Sequence, residues 1–160
     1  MNLKLFFLII AFIPINGMSQ IEDKCDYYLD LHRYGHCLPS QYPLAFGFKY
    51  CKNLSEDVYP HLSDEGKKWF EETQYCLMNK IYQNILGGKI NCQDFSSGAI
   101  NSHYDCYINN GYCDIPQGDR DILLNSVMKE ELSLDMIILG IRLGFSCLSS
   151  APSSFSNLPI

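Results

Sequence analysis

His103-Tyr104-Asp105-Cys106-Tyr107 holds the side chains in this chain that are best suited to catalysis. An imidazole beside a carboxylate can draw a proton from water, and a neighbouring acidic or glycine-rich loop can hold a divalent cation. On a helix, however, the intervening Tyr104 turns Asp105 about 200° away from His103. His32 and His36, four residues apart, would form half of a metal site if they were helical. No acidic or cysteine ligand is free to complete it, and Gly35 weakens a helix there, so the two read as a solvated pair. Asp119-Arg120-Asp121 lacks the spacing and terminal Glu of a calcium loop and reads as a helix start, so any calcium binding should be weak. No Gly-x-Ser-x-Gly, His-Glu-x-x-His or phosphate loop occurs. The residues thus predict no catalytic residue, no metal site and no cofactor.

The remaining chemistry lies in eight cysteines: Cys25, Cys37, Cys51, Cys76, Cys92, Cys106, Cys113 and Cys147. Ahead of them, residues 1–19 carry Lys4, an apolar run from Leu5 to Ile13, and Gly17-Met18-Ser19. That is the pattern of a cleavable export signal, with the cut between Ser19 and Gln20. Its apolar core is too short for a bilayer, and no later stretch reaches about 18 apolar residues. All eight cysteines would therefore meet an oxidising lumen, and their even number implies four disulfides in a secreted protein. None is then left for thiol catalysis or a zinc–thiolate site. Loss of Lys4 with the signal takes the net charge from −6 to −7. With no Lys/Arg cluster, nucleic acid and heparin are excluded as partners. Asn53-Leu54-Ser55 is the only glycosylation sequon, and occupancy is expected at Asn53.

Helices must position these groups, because no six-residue alternation of β-branched residues signals a strand. Ser63 reads as an N-cap with Asp64 and Glu65 in the first turn, where acidic side chains suit the helix dipole. Phe70, Thr73, Leu77, Ile81 and Ile85 then recur at three- and four-residue steps, with Trp69, Cys76 and Lys80 beside them, until Gly87-Gly88. A second helix is expected from about Cys92 to Ile108, with Cys92, Phe95, Ala99, His103 and Cys106 along one side. Cys92 and Cys106 would share a face roughly 21 Å apart, too far to bond to each other. A third helix runs over 119–131. A fourth starts at Ser133, with Leu134, Ile137, Ile138, Ile141 and Phe145 as its apolar side. Asp23 to Tyr34 and Tyr42 to Asn53 read as shorter helices. The expected fold is all-α: a disulfide-tied bundle of about four main helices plus short N-terminal ones, over residues 20–148. A Ser/Pro-rich tail at 149–160 should be disordered.

From Tyr50 to Cys113 the chain resembles the stanniocalcins, secreted helical glycoproteins associated with calcium and phosphate balance. The resemblance rests on Tyr50-Cys51-Lys52, Asp64-Glu65-Gly66-Lys67, Trp69-Phe70, Glu72-Thr73, Cys76-Leu77, Cys92, Phe95, Cys106-Tyr107 and Cys113. The steps of 25, 16, 14 and 7 residues between successive cysteines follow the family, as does Cys147 a further 34 on. The resemblance implies the pairs Cys76–Cys106 and Cys113–Cys147. For Cys76–Cys106, a straight helical hairpin leaves an offset of roughly 6 Å, so the helices must splay or the second must begin late. For the other four cysteines it favours Cys37–Cys92 with Cys25–Cys51, the alternative being Cys25–Cys92 with Cys37–Cys51. Family members carry more N-terminal cysteines and a C-terminal unpaired one that joins two subunits. The even count here argues against a covalent homodimer.

The resemblance implies a non-enzymatic, hormone-like role exercised by binding a receptor or partner protein, in calcium or phosphate handling. A second expectation is an exported binding or effector module presenting Tyr27, Tyr28, Tyr34 and Tyr42 as a contact patch. A third, weaker resemblance is to secreted phospholipases A2, which place a His-Asp pair before Cys-Tyr on a helix and a calcium loop resembling Tyr34-Gly35-His36-Cys37. Here Tyr104 separates His103 from Asp105, Pro39 and Ser40 replace the loop's later glycines, and some 70 residues part the two pieces.

Overall fold

A computed structural model describes residues 24–88, 92, 95–128 and 134–150, and all statements of structure concern these. The expected signal, its cut at Gln20 and residues 151–160 of the expected tail lie outside them. Among the described residues there are six α-helices and no strand: α1 (Tyr27–Tyr34), α2 (Lys49–Asn53), α3 (Asp64–Leu86), α4 (Phe95–Asn109), α5 (Gln117–Met128) and α6 (Leu134–Ser150). The fold is all-α and tied by four disulfides, Cys25–Cys51, Cys37–Cys92, Cys76–Cys106 and Cys113–Cys147. Those four pairs coincide with the set that the stanniocalcin resemblance favours.

The 23-residue α3 is the spine. Ser63 caps it as its type suggests: its hydroxyl accepts the Gly66 N–H at 3.1 Å, satisfying one of the free donors of the first turn. Phe70, Thr73, Leu77 and Ile81 are buried along one side, and Gly88 ends the element at φ +63°, a left-handed conformation that glycine adopts without strain. Near its start, Trp69 and Phe70 join Val58, Leu62, Ile115 and Leu123 in one core cluster. Near its end, Ile81 joins Tyr27, Tyr28, Leu31 and the Cys25–Cys51 bridge in another. α1 and α4 pack on α3, and α6 packs on α4.

Several boundaries differ from the sequence reading. α4 begins at Phe95, not Cys92, and with that later start Cys106 comes within 5.7 Å (Cα–Cα) of Cys76. Between Pro43 and His61 the chain stays helical, but its winding widens to π at Pro43–Phe48 and Leu54–Val58 and tightens to 3₁₀ at Tyr59–His61. The helix expected to stop at Asn53 therefore continues past it. Ser149 and Ser150, expected in the tail, close α6. The largest departure concerns α6 itself. Its expected apolar side faces solvent, with Leu134 71%, Ile141 54% and Phe145 69% exposed, while Leu139 and Leu143 point inward at 4% and 6%.

Asp119 does more than start a helix. It is buried, and its carboxylate accepts the Ser63 N–H at 2.9 Å and the Ser63 O–H at 2.5 Å, locking the start of α5 to the cap of α3. A Cβ on Gly66 would collide with this carboxylate, so the approach requires glycine there. Charge-assisted bonds of this kind are stronger than neutral ones, and losing the acceptor strands a part-buried N–H. Asp119→Ala should therefore cost about 2–3 kcal/mol of unfolding free energy in denaturant titration. The exposed Asp121→Ala should stay within about 0.5 kcal/mol of the native protein; equal effects of the two would contradict the clamp.

Candidate functional site

The residues with catalytic potential are not assembled. His103 is half-buried on α4, and its Nδ1 lies 2.7 Å from the Ala99 carbonyl, the geometry of a ring N–H donating one turn back along the helix. Its ring meets Tyr107 edge-on at 5.9 Å. Burial pushes the His103 imidazole below its ordinary pKa, partly offset by the Ala99 bond. Asp105 lies on another side of α4, where its carboxylate accepts Lys80 Nζ at 2.9 Å at the surface. α1 ends at Tyr34, so His32 and His36 do not share a helical turn, and His36 sits at φ +50° outside the helix. Among the described residues, no three His, Cys, Asp or Glu side chains gather into a metal site.

The proposed tyrosine patch is also not a surface. Tyr27 and Tyr28 are buried, Tyr42 is half-buried, and only Tyr34 stands in solvent. The rings of Tyr27 and Tyr28 lie 4.3 Å apart and those of Tyr28 and Tyr42 6.1 Å, and burial raises all three pKa values. They line, with His103 and Tyr107, an interior cavity of about 70 Å³. That is room for about two waters rather than for a substrate.

At the sequon, Asn53 Nδ2 donates to Asp57 one turn on, at 3.2 Å. Ser55 Oγ accepts Gln74 Nε2 from α3 at 2.9 Å. Both side chains of the sequon are thus engaged within a helical segment.

The feature that does face outward is α6. Leu134, Ile137, Ile138, Ile141, Phe145 and Leu148 form one apolar ridge along its length. Inward, Leu139, Leu143 and Cys147 follow at four-residue steps, and the bridge to Cys113 (Cα–Cα 5.0 Å) holds that row against the bundle. Two polar contacts brace the same orientation. The Tyr104 hydroxyl lies 2.7 Å from Ser146 Oγ, and Arg142 stacks over the Tyr104 ring at 4.0 Å while donating to Asn101 Oδ1 at 2.9 Å. Beside the ridge, a groove of about 450 Å³ opens between α5 and α6, floored by Trp69 and Leu139 and edged by Gly140, Gly144 and Leu124. Counting apolar residues picked out the ridge; the phase of Cys147 on the helix was the signal that it points outward.

Among the described residues no helix is long and apolar enough to cross a membrane. Compared with protein-family models, curated proteins and solved structures, the chain gives no match.

The half-buried His103 makes stability pH-dependent. Its unfolded pKa is near 6.5 and its folded value lies lower, so the unfolded chain binds more protons between the two. The stability from keeping it neutral is whole above about pH 6.5 and is lost as pH falls through the folded value. Melting temperatures between pH 7 and 5 should fall less steeply in His103→Gln than in the native protein. Parallel curves would show that His103 does not titrate with unfolding.

Proposed function

We propose that this protein is a secreted, non-enzymatic regulatory protein of stanniocalcin type that acts by binding a protein partner through the outward face of α6. Four disulfides belong to an oxidising, extracellular-type environment. The stanniocalcin reading is supported by the order and spacing of the cysteines and by their four pairs. The non-enzymatic reading is supported by the separation of His103, half-buried in the lining of the tyrosine cavity, from Asp105 at the surface. The observation that carries the partner-binding role is the apolar ridge of six side chains on α6, since contiguous exposed apolar surface of this size marks an interaction site. Calcium or phosphate handling is the physiological role that the resemblance implies, and a glycan at Asn53 would be added during export.

Binding of the labelled, secreted chain to intact cells tests this reading. Saturable binding should be abolished by Phe145→Asp on the ridge and retained by Tyr75→Asp, a substitution at an exposed aromatic on α3. Binding indifferent to the ridge would contradict it, as would calcium-dependent lipid hydrolysis that His103→Ala removes.

A further inference from the structure

We infer that the groove between α5 and α6 binds a free fatty carboxylate, with the alkyl chain lying over Trp69 and the head at Arg120. The inference goes beyond the partner-binding reading and does not depend on it. Of the six ridge side chains only Leu148 lines the groove, so an occupant leaves Ile137, Ile141 and Phe145 to a protein partner.

Chain connectivity gives the groove two unlike ends. Five residues separate Met128, the end of α5, from Leu134, the start of α6, while Cys113–Cys147 ties the segment before α5 to the end of α6. The two helices therefore border the groove in opposite directions. Uncharged Val127 and Met136 make one end, and Gln117, Arg120 and Asp121 make the other, beside Leu148. Arg120 and Val127 lie about 10 Å apart along α5. Between them the floor is Trp69 and Leu139, and the α6 wall is Gly140 and Gly144. A Cβ at either glycine would meet nothing within 4 Å, so no contact within the chain calls for glycine there. Glycine weakens a helix interior, and what the two achieve is a wall without side chains, beside which an alkyl chain can lie. The volume of about 450 Å³ falls within the ~300–1,000 Å³ of small-molecule sites.

The head end selects the sign of the charge. Arg120 is half-buried; its Nε and Nη2 donate to Gln117 Oε1 at 3.2 and 2.6 Å, and its Nη1 donates to the Cys113 carbonyl at 2.5 Å. Both acceptors are neutral, and among the described residues no carboxylate forms an ion pair with Arg120. A guanidinium has more N–H donors than these three bonds use, in a fork that fits a carboxylate. Asp121, the carboxylate of the same lining, is exposed and accepts the Gln117 amide at 2.8 Å. Solvent screens Asp121 more than the half-buried Arg120, so an anionic head is favoured over an ammonium.

Titration of laurate into the secreted full chain tests the inference, read by calorimetry and by the emission of Trp69, the chain's only tryptophan. Laurate should bind saturably, one per chain, and dodecanol at least about 10-fold more weakly, since it lacks the charge that Arg120 meets. Arg120→Gln should bring laurate down to the level of dodecanol and leave dodecanol unchanged, which a misfolded variant would not do. Gly144→Leu fills the bare wall and should abolish binding of both with native circular dichroism; if the dichroism changes, Arg120→Gln carries the reading alone. Absence of saturable laurate binding overturns the inference. So does dodecylammonium binding as tightly as laurate, laurate binding that ignores both substitutions, or a chain that sediments with phosphatidylcholine vesicles but takes up no free laurate. Phe145→Asp should lose cell binding and keep laurate, so the two readings fail separately: loss of laurate binding leaves the ridge standing, and cell binding that ignores Phe145 leaves the groove.

Discussion

Cys147 must point at Cys113 for their Cα atoms to lie 5.0 Å apart, and on a helix that requirement fixes which residues face away. At 100° per residue, Ile141 sits about 120° round from Cys147, and Phe145 and Leu134 follow Ile141 outward. Hydrophobic burial alone would turn α6 the other way, since six large apolar side chains outweigh Leu139 and Leu143. Fully burying a side chain of this size is worth about 1.5–3 kcal/mol. The Cys113–Cys147 bridge is covalent, so only rotations of the helix that keep Cys147 beside Cys113 are open to it, and Tyr104, Ser146 and Arg142 brace that rotation. A helix held against its own amphipathicity leaves a surface that a partner can cover, and the functional reading follows from that covalent constraint.

The same division of labour runs through the bundle. α3 carries the two core clusters, but the elements around it are located by bonds of defined geometry. Cys76–Cys106 and the Lys80–Asp105 pair, one turn apart on α3, set α4 beside it. Asp119 pins α5 to the cap of α3, and Cys25–Cys51 joins the segment before α1 to α2. Of these, the exposed Lys80–Asp105 pair contributes least, about 0–1 kcal/mol, because solvent screens it. With covalent and capped contacts deciding orientation, the interior can be filled by tyrosine rings packed tilted and edge-on against one another.

Much of this was legible in the chain because the local signals agreed. Ser63, the Phe70–Ile81 stripe and Gly88 define α3 by capping, periodicity and backbone freedom, each independent of tertiary context. The misses share one cause: they concern residues whose direction is set from elsewhere. Tyr27 and Tyr28 look like surface aromatics until the Cys25–Cys51 bridge and Ile81 close over them. Asp119 looks like a first-turn acid until Ser63 reaches it across 56 residues. Leu134, Ile137, Ile138, Ile141 and Phe145 were correctly grouped on one face of a helix, but amphipathicity gives no sign of direction when a cysteine occupies the opposite face.

The outward rotation of α6 is the claim on which the functional account stands, and side-chain footprinting with a photoactivated carbene reads it directly. Ile141 and Phe145 should be labelled heavily while Leu139 and Leu143 remain unlabelled. Labelling of Leu139 and Leu143 above Ile141 and Phe145 would mean that α6 turns its ridge into the core, and the account would be wrong.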